Sequence, residues 1–589
     1  MNKLHMFFNV ILACLFIYCV NILYYGSSIE SLYGNYNILT IPTICGLVFL
    51  LHQNHLSYHK LSKRRWIFLL CSFLLSTFFV LGTRIMIKGF IVLSDFFTYL
   101  CILIFTIIKL SILMLIYTKI IPSVQRYFNQ PHPVIDTLVT RLTFPIIWIF
   151  IFICWIPILL ACYPGIFSYD AIYQCSQVTD TLNLNTHHPI IHTLLLGGCV
   201  QLGRSLFHSA NAGMLLYSLL QMLINSCIFA YIITFLKKQH TSTIGILACL
   251  FFFALMPFNS IFAICATKDT IFSALFALLF TFLYNLVFDP DQYFSSWKNL
   301  LFFSFIAFLA IAFRNNMLYA FILCIPFLLL IYRKYWKKML IMLLLPLILF
   351  KLYEGLLYPS LNVTSGDSRE AYSVIMQQYA NVYNNCELDS NDKEMLLQLM
   401  DNDAWSKYEP HKSDIIKNEF NTQIFEASLR EYVKLYIKLG LHYPSQYINA
   451  FLNLTYGYWY PNDLLPDNTT YRKYIEVYTG GDITFESKIP WLLEKLKKIG
   501  MDSSYQSIPG FSMLFSPAFY LWSLIFITTI CIYEKKYKFL TLMLLPSTFL
   551  LSILFGPVAL LRYAYPVILC TPMALLLYPR IDTNDIHNA

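Results

Sequence analysis

The sequence predicts an all-α polytopic membrane protein, and three observations lead to that fold class. Of its 589 residues, 58% are hydrophobic and only 12% are charged, and the mean hydropathy is +0.60. Soluble domains carry about 25% charged residues. Long apolar runs recur along the chain, and Lys and Arg lie in short clusters between them. Together these features exclude a soluble enzyme, a disordered chain and a nucleic-acid-binding protein, so no nucleic-acid partner is expected.

The apolar runs predict about fourteen transmembrane helices, because about 20 mostly apolar residues cross the hydrocarbon core. The first run follows Met1-Asn2-Lys3, and its length and the lack of a clear cleavage site favour a membrane anchor over a signal peptide. The runs begin near residues 5, 37, 66, 97, 144, 210, 242, 269, 299, 316, 338, 511, 538 and 561.

The orientation follows from the excess of Lys and Arg expected on the cytoplasmic side. Placing all of the basic clusters inside puts both termini in the cytoplasm. These clusters lie at residues 60–65, 119–141, 237–238, 333–338 and 535–538. One more span at residues 188–208 would invert every later loop. That stretch contains three glycines and Arg204, so we predict a helix along the outer interface instead.

This topology divides the chain into four parts. Residues 1–143 form a four-span N-terminal addition, and residues 144–358 form a membrane core with an outer loop at 163–192 and a juxtamembrane helix at 190–207. Residues 359–510 form a mainly helical extracytoplasmic domain, with helices predicted at 368–385 and 414–440. The Tyr- and Trp-rich stretch 443–461 is typical of a helix at the headgroup level. Residues 511–589 supply the last spans.

Ionisable residues gather at the outer ends of the predicted spans, where a charge needs a reason. Each has a simple explanation taken singly: a helix cap, a snorkelling ion pair or a headgroup anchor. One topology, fixed by other residues, nevertheless brings them to a single membrane face. They are Asp170, His187, His188, Lys268, Asp269, Arg314, Arg562 and Tyr563.

The residue types in this group favour group transfer from a lipid phosphate. No Lys or Arg lies between Arg141 and Arg204, so we expect Asp170 to be a carboxylate without a nearby positive loop, able to act as a general base toward a hydroxyl. Arg and Lys at helix ends can hold a phosphate and stabilise its charge as it leaves. This combination predicts glycosyl transfer from a polyprenyl-phosphate sugar.

At these residues the chain resembles the GT-C superfamily of membrane glycosyltransferases. Asp170 falls at the family's catalytic Asp, His188-Pro189 at the start of its juxtamembrane helix, and Asp269 at the acidic residue of its second outer loop. Arg562-Tyr563-Ala564-Tyr565-Pro566 matches its late Arg-Tyr-x-x-Pro. The resemblance covers roughly residues 144–350 and 511–578. It departs from the family at Ala171, where a second acidic residue is common, and at His187-His188.

The resemblance implies a role for each residue of the group. Asp170 is the base, while Lys268, Arg314 and Arg562 contact the donor phosphate with Tyr563 beside it. His187 and His188 orient the donor or replace a metal, and Asp269 positions Lys268 or helps to hold a divalent cation, although no ligand spacing demands one. The partners are a polyprenyl-phosphate sugar donor and a cell-envelope glycan or glycolipid acceptor, which the 359–510 domain would choose.

Three other readings stay open. A transporter or flippase of a lipid-linked saccharide would line a path with the same residues, although such proteins often show internal repeats and charges at mid-depth, which this sequence lacks. A polysaccharide polymerase or ligase would use a similar outer site with a lipid diphosphate. A non-catalytic envelope assembly protein would leave the grouping of Asp170, Lys268 and Arg314 without a role. A disulfide between Cys175 and Cys386 is a weak expectation.

Overall fold

The computed structural model describes residues 3–25, 40–58, 64–167, 170–179, 183–366, 368–461, 482–500, 508 and 510–580. The predicted cytoplasmic C-terminus, residues 581–589, and residues 462–481 of the predicted extracytoplasmic domain lie outside these ranges. Within them the chain is helical, and its pairing of extended segments is limited to isolated bridges. The predicted all-α class is therefore confirmed.

The N-terminal part contains four long helices and two short ones. Its helices are α1 (Lys3–Tyr25), α2 (Thr40–Tyr58), α3 (Trp66–Lys88), α4 (Phe96–Leu115), α5 (Ile121–Asn129) and α6 (Pro133–Arg141), with a π-helical turn at Ile116–Ile120. Leu, Ile and Phe on α1, α3 and α4 pack together.

The central part carries most of the apolar core. Its helices are α7 (Phe144–Ala161), α8 (Ala171–Thr179), α9 (Ile190–Phe207), α10 (Ala210–Lys238), α11 (Thr243–Leu255), α12 (Pro257–Ile264), α13 (Lys268–Phe288), α14 (Pro290–Ser295), α15 (Trp297–Phe313), α16 (Asn315–Ile331) and α17 (Trp336–Ser360). Helix α13 is the innermost, with apolar side chains buried on every face. A helix that is hydrophobic all round is expected in such a position.

The helices between residues 373 and 500 include a small apolar core that is separate from the core of the bundle. The chain then continues into the last helices of the bundle. Its helices are α18 (Ser373–Asn385), α19 (Ser390–Leu399), α20 (Asn402–Ser406), α21 (Asp414–Glu419), α22 (Thr422–Ala427), α23 (Leu429–His442), α24 (Pro444–Trp459) and α25 (Pro490–Gly500). The last helices are α26 (Pro517–Tyr533), α27 (Tyr537–Ile553) and α28 (Leu561–Leu577); α27 and α28 pack on α13, and α26 packs on α28.

Eight helices of the described ranges are long and apolar enough to cross a membrane, so the chain is a helical membrane protein. Each of the fourteen predicted runs lies on a helix, but six of these helices have apolar segments of only 10–17 residues. One run is divided into α11 and α12, which bend by 46° at Pro257, a residue that cannot continue the backbone ladder. Helix α9 is among the eight, so length and composition alone do not distinguish an interfacial helix from a span.

The position of α9 along α10 is informative. Helix α7 runs antiparallel to α10, with Trp148 bonded to Ser226 and the carbonyl of Pro164, just past α7, bonded to Ser218. Helix α9 packs on the first part of α10: its His192 bonds Tyr217, and a Cβ at Gly203 would lie 2.1 Å from the Gly213 nitrogen. Helix α9 therefore contacts α10 beyond the level at which α7 ends.

One expectation for residues 359–510 needs correction. The stretch 414–440 is three helices instead of one, because Phe420 is extended and Asn421 caps the next helix by accepting a hydrogen bond from the Ile424 nitrogen. The Tyr- and Trp-rich helix α24 belongs to the same region and contacts the bundle. Its end packs against α3 and α26, where Tyr460 is buried and a Cβ at Gly82 would lie 2.3 Å from its ring.

The cysteines are free thiols. All sixteen fall within the described ranges, and none of them forms a disulfide. Cys175 is buried on α8 among apolar side chains of α9 and α10, whereas Cys386 belongs to the separate core of residues 376–447. The weakly expected pairing of Cys175 with Cys386 is therefore wrong.

Candidate functional site

The candidate site is built on two connections between helices that the backbone holds together. After α7, Ile166 pairs in parallel with Cys265, which precedes α13: the Ile166 nitrogen donates to the Ile264 carbonyl at 2.9 Å, and the Ala266 nitrogen donates to the Ile166 carbonyl at 2.9 Å. Gly165 permits this approach, because its φ is +142° and a Cβ would lie 2.1 Å from Ser218 Oγ. The pairing sets Asp170, shortly after Ile166, beside the start of α13.

Asp170, His188 and Lys268 meet at this point. The Lys268 ammonium lies 3.6 Å from Asp170 Oδ2 and donates a hydrogen bond of 3.1 Å to His188 Nδ1. His188 Nδ1 lies 3.8 Å from the same carboxylate oxygen. Because an ammonium can only donate, His188 Nδ1 accepts, and its neutral ring carries the proton on Nε2. His187 lies beside it, with ring centroids 4.5 Å apart.

These charges determine the protonation of the loop residues. Burial by itself would raise the pKa of the Asp170 carboxyl, but the positive charges of Lys268 and Arg562 outweigh it and hold that pKa well below its ordinary value. Burial, reinforced by Lys268, lowers the pKa of His188, and burial also lowers the pKa of His187. The loop thus presents an ionised carboxylate and two neutral imidazoles at neutral pH.

A second group lies next to the first, at the start of α13, the end of α15 and the start of α28. Asp269 is 1% exposed and forms an ion pair with Arg314, the residue between α15 and α16. Arg562 Nε lies 3.7 Å from the other carboxylate oxygen of Asp269. The ring of Tyr563 lies against both guanidinium groups, with its centroid 4.6 Å from Arg314 Cζ and 5.0 Å from Arg562 Cζ.

Two buried guanidinium groups share one carboxylate here, so this group carries one surplus positive charge. Arg314 Nε is buried and has no hydrogen-bond partner. A buried charge needs pairing, and a buried donor left without an acceptor costs free energy. The arrangement is therefore suited to an anion that supplies both the missing charge and the missing acceptor.

A network of neutral polar side chains on α8, α9 and α10 lies next to these two groups. His192 Nε2 donates a hydrogen bond of 2.8 Å to the Tyr217 hydroxyl, and His192 Nδ1 lies 3.1 Å from the Gln174 side-chain oxygen. Tyr217 donates to Gln221, whose amide donates to the Cys265 carbonyl at 2.8 Å. All of these side chains are buried. Tyr217 and Gln221 were not among the predicted residues, although a glutamine inside the apolar α10 is a recognisable signal.

The structure therefore brings the eight predicted residues into two adjoining groups at one end of the bundle. Asp170 lies on a loop without Lys or Arg, and the ammonium of Lys268, another of the predicted residues, lies 3.6 Å from its carboxylate. No cluster of three or more His, Cys, Asp or Glu side chains that could hold a metal ion occurs in the described ranges.

The fold and this site define a class: a helical membrane protein with a group of buried ionisable side chains at one end of its bundle. The chain belongs to the family described as "Family of unknown function (DUF6020)", whose profile matches residues 178–589. The match includes all of the site residues except Asp170. Searches of the curated proteins and of the solved structures find no match to the chain.

Proposed function

We propose that this protein is a membrane glycosyltransferase that moves a sugar from a polyprenyl-phosphate donor to a glycan or glycolipid acceptor of the cell envelope. The observation that carries the proposal is the position of Asp170 beside Lys268 and next to the surplus positive charge of Arg314 and Arg562. A carboxylate for a hydroxyl proton and cations for a phosphate are the two requirements of such a transfer.

The proposed step is a substitution at the anomeric carbon of the donor sugar. The acceptor hydroxyl attacks the anomeric carbon of the donor sugar, and its proton passes to Asp170 as the new glycosidic bond forms. The bond between the anomeric carbon and the phosphate oxygen breaks, and the lipid phosphate leaves with the electron pair. Arg314, Arg562 and Lys268 stabilise the growing negative charge, while His187 and His188 orient the donor.

The charge of the site favours a monophosphate donor over the diphosphate that a polymerase or ligase would use. A polyprenyl-phosphate sugar is a phosphodiester with one negative charge, which equals the surplus around Asp269. A lipid-diphosphate saccharide would bring a second negative charge. The apolar side chains of Tyr319, Ile322 and Leu323 on α16 are exposed a turn or more beyond Arg314, which offers a surface for the lipid tail.

The depth of the charges favours transfer over transport. Lys268 is the first residue of α13, Arg314 separates α15 from α16, and Arg562 is the second residue of α28. All three therefore lie at helix ends, whereas a transporter commonly binds its substrate near mid-depth between broken helices.

The proposed topology has fourteen spans and both termini in the cytoplasm, with α9 on the outer surface and the core of residues 376–447 outside. Its support is that α9 contacts α10 beyond the end of α7. The basic clusters lie at the opposite ends of the same helices, where Lys237 bonds the Leu142 carbonyl and Lys338 bonds the Phe294 carbonyl.

The test is transfer of radiolabelled glucose from polyprenyl-phosphate glucose to a membrane-extract acceptor by the purified protein in nanodiscs. A nanodisc has no interior compartment, so transport cannot give a signal. The proposal expects labelled, acid-labile glycan product that depends on the protein. If defined mannosyl, glucosyl and arabinosyl donors all give no product above a protein-free control, the transfer function is wrong.

A further inference from the structure

A cavity of about 660 Å³ opens beside Asp170. Its walls come from the loop before α9, from the exposed side of α8 and from the short segment that follows α17. The side chains that matter for what it binds are those of Asp170, Tyr173, Asn185, His187, Ser365 and Arg369. Lys268, Arg314 and Arg562 do not line it.

The outer wall of the cavity is fixed to the loop that carries His187 and His188. The Thr364 nitrogen donates to the Leu184 carbonyl at 2.9 Å, and the Thr186 nitrogen donates to the Thr364 carbonyl at 3.0 Å. The Gly366 nitrogen adds a hydrogen bond of 2.7 Å to Thr186 Oγ1. The segment and the loop thus form a small parallel pair, and the cavity is a preformed part of the fold.

The segment that follows α17 lies directly against the loop that carries His187 and His188, so a ligand can approach this segment only from the cavity. A Cβ at Gly366 would lie 2.6 Å from the His187 nitrogen, so the two backbones are in direct contact at this point. Immediately before it, the Ser365 side chain is exposed and lines the cavity. A ligand in the cavity therefore touches the wall at Ser365 and reaches Asp170 at the inner end.

The lining has the chemistry of a carbohydrate site. Tyr173 offers an aromatic ring, and its hydroxyl accepts a hydrogen bond of 2.8 Å from the Asn185 amide. Hydroxyl, amide, carboxylate and guanidinium groups can pair with sugar hydroxyls, while an aromatic face packs on the C–H groups of a pyranose. A volume of this size is typical of a small-molecule site, and polar and apolar groups contribute almost equally to its lining, which suits the hydroxyls and the C–H groups of a sugar.

We propose that this cavity binds a saccharide of one to a few sugar units, with a hydroxyl directed at Asp170. That this saccharide is the acceptor rests on the proposed function, because the donor phosphate belongs with Arg314 and Arg562, which do not line the cavity. In this proposal residues 364–369 select the acceptor. They precede the small core of residues 376–447 in the chain.

The test uses the full chain in nanodiscs, without sugar-based detergents, on a printed array of defined mono- to tetrasaccharides. Ser365→Trp fills the cavity from its wall and is expected to lower array binding at least tenfold. Ser360→Trp is the matched control, since Ser360 is exposed near the end of α17 and does not line the cavity. Tyr173→Ala removes the aromatic face and leaves the backbone pairing intact, so it serves if Ser365→Trp fails to fold.

Each outcome decides the proposal. Binding of a subset of saccharides by the native protein and by Ser360→Trp, lost in Ser365→Trp or Tyr173→Ala, supports it. No binding by the native protein, or equal binding by all variants, overturns it. Transfer from the defined mannosyl, glucosyl and arabinosyl donors separates the two proposals: saccharide binding without use of any of these donors leaves the cavity assignment standing and removes the transferase function.

Discussion

The Lys268 ammonium lies 3.6 Å from Asp170 Oδ2, although one residue follows α7 and the other begins α13. The pairing of Ile166 with Cys265 brings these two helix ends together. As a consequence, the carboxylate proposed as the base is held by a cation in the free protein. A donor phosphate would compete for that ammonium, so donor binding and the basicity of Asp170 are connected.

The pH dependence of turnover tests this connection. The value of kcat/KM reports ionisations of the free enzyme. Because Lys268 holds the pKa of Asp170 below its ordinary value, the native protein should show no acid limb from this group between about pH 5 and 7. Lys268→Met removes one of the two cations that lower this pKa and leaves Arg562 in place, so the pKa of Asp170 should rise and the acid limb of the residual activity should move to higher pH. Profiles of the same shape for both proteins would contradict the proposed coupling, and Lys334→Met is the control.

The carboxylate shared by Arg314 and Arg562 should be important for stability. Asp269→Asn leaves two buried guanidinium groups without their counter-charge, and breaking a buried ion pair costs about 3–5 kcal/mol. Asp291→Asn is the matched control, because Asp291 pairs with Lys334 in an exposed position at the other end of the bundle. Unfolding in mixed micelles should show a large loss for the first variant and no measurable loss for the second. Equal stability of the two variants would show that the buried group is not an essential contact.

Arg562→Ala should weaken donor use far more than acceptor use. A hydrogen bond to a charged group contributes about 1.5–3 kcal/mol, so the donor KM should rise by roughly tenfold or more while the acceptor KM stays close to the native value. Lys334→Ala removes an exposed cation far from the site and controls for a general change in charge. An unchanged donor KM and rate in Arg562→Ala would remove this residue from the donor site.

The proposed topology predicts which residues an impermeant reagent reaches. In a background without the exposed Cys14 and Cys45, Ser406→Cys should react with an impermeant maleimide on intact cells. Lys337→Cys should react only after the membrane is permeabilised. Labelling of both positions on intact cells, or of neither, would contradict an outer domain and a cytoplasmic basic cluster.

The helices were largely predictable because an apolar run of sufficient length has few alternatives to a helix in lipid. The residues at which the helices end were less predictable. The break in α11–α12 follows from Pro257, and the break before α22 follows from Asn421, but both lie in sequences whose apolar spacing continues across them. The burial of α24 was not predictable, since the same Tyr and Trp residues suit a headgroup region and a packed interface.

The gathering of the site residues at one end could be predicted from sidedness, whereas their pairing could not. Which carboxylate meets which cation depends on the backbone contact of Ile166 with Cys265, and neither residue carries a chemical signal. The cavity wall is similar: Thr364, Ser365 and Gly366 are ordinary loop residues, and only their pairing with Leu184 and Thr186 sets them beside Asp170.

The most direct test of the account is single-turnover transfer from polyprenyl-phosphate glucose, or from whichever donor the native protein uses, by Asp170→Asn. Asn keeps the size of the side chain and cannot take up a proton, so the account predicts loss of transfer by at least about 100-fold, the lower range for a general base. The variant should remain folded and in the membrane, and it should still bind the donor. Transfer at the native rate by a folded Asp170→Asn protein would contradict the claim that this carboxylate activates the acceptor.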